Sequence, residues 1–201
     1  MANRYWVGGA GNWSSTTKWS TTSGGTSGAS VPISTDDVIF DANSGLTGAT
    51  ATVDTAQTCN NLTITPSATV GVQTIALTAQ LTVNGTFSMS GTAGNRRTWI
   101  RSTTYGIAIN FSVAAVSSLT DLDFRDIYVL GTTITGTRIG NRGNSRGITF
   151  DAPKTVYWNL VAGGNWSATA WATSSGGTPS TDNFPLPQDT ATIVNTGLNT
   201  S

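Results

Sequence analysis

Leu62-Thr63-Ile64, Ile75-Ala76-Leu77, Leu81-Thr82-Val83 and Phe87-Ser88-Met89 follow one another along the chain, separated mainly by small and polar residues. Each triplet places two apolar side chains on one face and a polar or small one on the other, because side chains on an extended chain alternate between faces. The pattern continues outward through Ala51-Thr52-Val53 on one side. On the other it runs through Trp99-Ile100, Ile107-Ala108-Ile109, Leu122-Asp123-Phe124, Ile127-Tyr128-Val129 and Ile148-Thr149-Phe150. Strands this short suit a right-handed parallel β-helix or β-solenoid, where each strand stacks on the coil below. The residues predict that Leu62, Ile64, Ile75, Leu77, Leu81, Val83, Leu122 and Phe124 point inward. Asn60-Asn61 fits a corner of such a coil, since Asn tolerates left-handed geometry and can bond along a stack. A β-sandwich or jelly roll of antiparallel hairpins stays open, because several spacings also fall in its range. No βαβ pattern occurs, so a parallel sheet of Rossmann type is excluded.

Composition points the same way. Only 10% of the 201 residues are charged, ten of each sign. Glu and His are absent, and Lys occurs only as Lys18 and Lys154. Solvated helices are usually built from long charged side chains, whereas Thr, Asn and Gly favour strands and turns. The chain is therefore expected to be all-β. Zero net charge gives no field to steer it toward nucleic acid or an anionic membrane. No apolar run approaches the ~18 residues of a spanning helix, and the N-terminus lacks the pattern of a secretory signal. The single Cys59 has no metal-ligand spacing and reads as a small buried hydrophobe.

The strongest internal feature is a repeat. Trp19 through Leu46 aligns without gaps on Trp171 through Leu198, pairing Trp19 with Trp171, 23–26 with 175–178 and Asp37 with Asp189. Upstream, Tyr5-Trp6 matches Tyr157-Trp158, and Gly11-Asn12-Trp13-Ser14 matches Gly164-Asn165-Trp166-Ser167 after a one-residue shift. The chain divides accordingly into a Trp-rich N-terminal module or cap (1–46), a β-solenoid body (47–150) and a partial second copy (151–201). Trp158, Trp166 and Trp171 are expected to fold back on the end of the body as a cap, or to form an interface with another subunit.

The opening Tyr5-Trp6-Val7-Gly8-Gly9-Ala10-Gly11-Asn12-Trp13, followed by Lys18-Trp19 and Pro32 to Phe40, resembles the start of Trp-rich repeats in tailed-bacteriophage structural and tail-fibre-like proteins. It is similar, more loosely, to autotransporter-associated β-solenoid repeats. The resemblance implies a non-catalytic virion structural protein at the particle surface, as a fibre, an adhesin or a capsid decoration. It implies other virion proteins as partners, a homo-oligomer and a host surface glycan as a further partner. It brings no catalytic residues.

Three clusters could carry chemistry. Trp6, Trp13 and Trp19 could offer aromatic faces to sugar rings, or could fill the end of the core. Asp36, Asp37, Asp41 and Asn43 supply oxygen ligands of the kind Ca²⁺ takes, yet the second copy has Ile193 opposite Asp41, which favours turn and cap bonding. Asp121, Asp123 and Asp126 lie close together. Asp121 and Asp123 on one strand face would stand about 7 Å apart, a separation that glycoside hydrolysis can use. Arg125 beside them favours ordinary ion pairs. Arg138, Arg142 and Arg146, among Gly and Asn, read as a solvated loop or a subunit contact. Without His, no Ser-His or Cys-His nucleophile can be assembled. No cofactor, metal or catalytic residue is expected. The rival readings are a polysaccharide-degrading tailspike-like enzyme and a bacterial cell-surface adhesin repeat.

Overall fold

The alternating segments fold as strands. The computed structural model describes residues 1–66, 71–91, 93–160 and 163–194. In chain order the strands are β1 (Asn3–Trp6), β2 (Gly11–Asn12), β3 (Trp19–Ser20), β4 (Asp37–Phe40), β5 (Thr50–Val53), β6 (Gln57–Cys59), β7 (Leu62–Ile64), β8 (Gly71–Leu77), β9 (Leu81–Met89), β10 (Arg96–Ser102), β11 (Ile109–Leu119), β12 (Leu122–Arg125), β13 (Ile127–Gly131), β14 (Gly140–Asn141), β15 (Thr155–Trp158), β16 (Trp171–Ala172) and β17 (Thr190–Ile193). Strands make up 44% of the described residues and short 3₁₀ turns 5%, which establishes the all-β class. No helix among the described residues is long and apolar enough to cross a membrane.

The strands fall into two large sheets and one small one. The first runs β13-β11-β9-β7-β4-β1-β3, with β6 also on β9, and the second runs β14-β12-β10-β8-β5-β2. From β4 to β14 the chain passes between the two sheets, with β6 and β7 consecutive in the first, and every pairing between these strands is parallel. That is not the pairing of a hairpin-built sandwich. Val38 pairs with Leu62 and Leu62 with Phe87 in the first sheet. In the second, Ile75 pairs with Ile100 and Ile100 with Phe124. One antiparallel pair, β1 with β3, ends the first sheet.

The core lies between the two sheets. All eight residues expected to point inward are buried to 1% exposure or less. The core is continuous from Trp6 to Ile139, so segments 1–46 and 47–150 share one interior. Two expected strands differ. Ile107 is 57% exposed, with only Ile109 of its triplet in a strand. Ile148-Thr149-Phe150 makes a single bridge, Ile134 to Ile148.

Asn60 and Asn61 bond from strand to strand. Asp37 Oδ1 accepts from Asn60 Nδ2 (2.8 Å) and Asn61 Nδ2 (2.9 Å), and Asn61 Oδ1 accepts from Thr86 N (2.8 Å). These bonds connect three successive strands of one sheet. Neither Asn is left-handed, however; positive φ falls instead at Ser118, Asp121, Asp126, Arg138 and Asn144.

The small sheet β16-β15-β17 repeats the start of the chain. Tyr157 pairs with Ala172 and Trp158 with Trp171, as Tyr5 pairs with Ser20 and Trp6 with Trp19. The gapless alignment needs one correction. Asp36 accepts from Ala2 N and Ile33 N; Asp189 accepts in the same way from Lys154 N and Leu186 N. Asp189 is therefore the counterpart of Asp36, not of Asp37, and the second copy carries one extra residue between Trp171 and Pro185. The proposed matches at Asn195, Gly197 and Leu198 lie outside the described residues.

Candidate functional site

Trp6, Trp13 and Trp19 are each 0% exposed. They pack on one another edge to face at 5.1 and 4.9 Å, and Trp6 stacks on Phe40 at 5.4 Å. The reading of these residues as a sugar platform is thereby corrected, because no indole face is left for a ligand. Trp6 Nε1 and Trp19 Nε1 donate to Gly9 O and Trp13 O, which fastens the opening loop to the core.

The second copy keeps this arrangement with less cover. Trp158 and Trp171 meet edge to face at 5.2 Å, and Trp171 Nε1 donates to Trp166 O. Trp158 and Trp171 are buried in their own small core. Trp166, the counterpart of the fully buried Trp13, is 52% exposed. The module folds back against the outer face of the second sheet. Asn95 Nδ2 donates to Ser167 O, Asn141 N to Gln188 Oε1, and Gln188 Nε2 to Ile139 O and Asp151 O. Arg138 pairs with Asp182 at 3.1 Å. Close approach is possible because Gly94 and Gly140 face the module: a Cβ on Gly94 would strike Thr181 O, and one on Gly140 would come within 2.6 Å of Pro187 Cδ.

Between the module and that sheet lies a cleft of about 510 Å³. Asn95, Arg97, Asp123 and Arg142 form one wall, and Trp166 and 184–187 the other. This is the size range of small-molecule pockets.

The carboxylates singled out in the sequence are bound by guanidinium groups. Asp123 Oδ1 accepts from Arg97 Nε (3.0 Å) and Nη2 (2.6 Å), and Oδ2 from Arg142 Nε (3.3 Å) and Nη2 (3.1 Å). Asp121 takes two bonds from Arg138, at 2.6 and 2.9 Å. Hydrogen bonding to Asp121 holds the Arg138 guanidinium above its ordinary range, outweighing burial. Asp126 accepts from Arg125 Nε, Gly106 N and Asn144 Nδ2. Leu122 and Phe124 point inward as expected, but Arg125 serves Asp126, not Asp121 or Asp123. The partners Arg97, Arg138 and Arg142 come from other parts of the chain.

Arg101 has no carboxylate partner among the described residues. It pairs across the ladder with Arg125, and Arg101, Arg125 and Arg142 all lie within 5.0 Å of the Trp99 ring centre. Burial, and then the Arg125 charge, hold Arg101 below its ordinary range. Arg146 lies over Tyr128 at 3.6 Å. Of the three arginines read as a solvated loop, Arg138 and Arg142 are therefore ion-pair partners.

Asp36, Asp37 and Asp41 have local tasks. Asp36 and Asp37 accept the bonds given above, and Asp41 caps the turn Ala42–Ser44 by accepting from Asn43 N. Cys59 is buried, and burial with the nearby Asp37 charge pushes its thiol up to about 12. Asn95 and Arg97 carry no local signal for these roles, because their contacts reach far along the chain.

In comparisons with known proteins, no protein-family model matches the chain, and neither a curated protein nor a solved structure matches it significantly.

Proposed function

We propose that this chain is a non-catalytic structural protein at the surface of a tailed-bacteriophage particle, acting as a fibre, adhesin or capsid decoration. Its two sheets are read as faces of one right-handed β-solenoid. The observation that carries the architectural half is the passage of the chain from β4 to β14 back and forth between two sheets, β6 and β7 together serving one visit to the first, with parallel pairing throughout. A chain that alternates in this way winds one coil per pair of strands, giving a stiff rod from short segments. The phage half rests on the resemblance of the Trp-rich opening and on its recurrence at 157–171.

A structural role is favoured over hydrolysis by the state of the carboxylates. A glycosidase needs one free carboxylic acid and one free carboxylate, whereas Asp121 and Asp123 are held by Arg138, Arg97 and Arg142. Two assays test the reading. Immunoblotting of gradient-purified, DNA-filled particles is expected to find the chain co-sedimenting with them; its absence from infectious particles overturns the assignment. Incubation with host polysaccharide is expected to release no reducing sugar, and sustained release by the wild-type chain establishes the enzyme instead.

A further inference from the structure

The cleft between the folded-back module and the second sheet brings together three side chains whose partners in the fold leave part of each unanswered. Trp166 is the tryptophan that the second copy leaves half exposed, and it lines the cleft. Asn95, only 9% exposed, lines it too. Its Nδ2 donates to Ser167 O, while its Oδ1 is buried with no donor among the described residues. An acceptor left unpaired in this way keeps the full cost of its desolvation. Arg142 borders the cleft with its guanidinium about one-third exposed.

We propose that this cleft binds a neutral saccharide unit. An aromatic face beside hydrogen-bonding groups matches a sugar ring, which has an apolar C–H face and a rim of hydroxyls. The ring lies over the Trp166 indole, and a turn of the Asn95 side chain about its Cβ–Cγ bond brings the buried Oδ1 to the cleft, where it accepts from one hydroxyl. Charge complementarity selects a neutral sugar, because the charged groups in the walls already answer one another: Asp123 with Arg97 and Arg142, and Asp189 with the Lys154 and Leu186 amides. The inference names a ligand class for the surface role proposed above but is read independently of it. A chain absent from particles can still bind sugar, and a chain present in particles can fail to.

The test titrates the full chain with neutral trisaccharides of hexoses and of N-acetylhexosamines, following tryptophan fluorescence and the Asn95 side-chain amide resonances. At least one probe is expected to bind in the micromolar to millimolar range and to shift the Asn95 amide. Trp166→Ala is expected to weaken binding at least tenfold, while Trp166→Phe, which retains a ring, stays within a few-fold of the wild type and controls for folding. Asn95→Leu is expected to weaken it comparably. No binding by any probe, binding that leaves the Asn95 resonances unmoved, or equal affinity in Trp166→Ala overturns the proposal.

Discussion

Asp123 shows most clearly what holds the outer face of the second sheet together. It is fully buried, and its two oxygens take four guanidinium contacts from Arg97 and Arg142. Removing one partner of a buried ion pair leaves the other charge unanswered, which costs about 3–5 kcal/mol. Asp123→Ala is expected to lower stability by that amount in urea unfolding, far more than Asp182→Ala, whose carboxylate is 65% exposed. Cys59 makes a second prediction. Its folded-state pKa is raised above the unfolded value of about 9, so its neutral thiol contributes stability that is fully present below pH 9 and is lost as the pH rises toward 12. Wild-type stability should therefore fall more steeply over that window than that of Cys59→Ala, as read by urea midpoints at each pH. The inward residues and the buried cysteine were legible from alternation and composition. The ion pairs were not, since Arg97 and Asp123 stand 26 positions apart and neither carries a local signal for the other.

The elements follow the sequence closely where one face is apolar, and depart from it where backbone geometry decides. Leu62-Thr63-Ile64 and its neighbours are strands because burying their two apolar side chains is worth roughly 1.5–3 kcal/mol each. Ile148-Thr149-Phe150 has the same pattern but only one bridge, so alternation alone does not make a ladder. The Trp modules were visible as a repeat, yet their burial was not. Whether an indole faces solvent depends on what packs over it, and Phe40 does so in the first copy. The extra residue in the second copy also escaped notice, because Asp36 and Asp37 are adjacent and either can be matched to Asp189. At this scale Gly94 controls how the C-terminal module docks. Gly94→Ala places a methyl against Thr181 O, a backbone atom that cannot swing aside. The variant is expected to keep its β-sheet circular dichroism while limited proteolysis cuts the 151–154 connection several-fold faster. Unchanged cleavage would show that the module's position does not depend on that contact.

At the scale of the whole molecule, the two copies of the module end differently. In the first copy β4 is covered on its far edge by β7, and Phe40 is buried. In the second, β17 has no partner among the described residues beyond β15, and Ile193, the counterpart of Phe40, is 50% exposed beside Trp158 and Trp166. An unpaired strand edge next to an apolar pocket invites pairing with another chain. Sedimentation equilibrium is therefore expected to find concentration-dependent association that Ile193→Glu abolishes. A wild-type monomer at high concentration would remove the homo-oligomer from the proposal.

The proposed role needs both an architecture and a place: a solenoid of stacked strands on the outside of a phage particle. A cryo-electron density map of the purified particle tests both at once. An external rod is expected, with strands repeating every ~4.8 Å, into which the two sheets fit in sequence register. A complete map of the particle with no such density, or one in which this chain fits only an antiparallel sandwich, would contradict it.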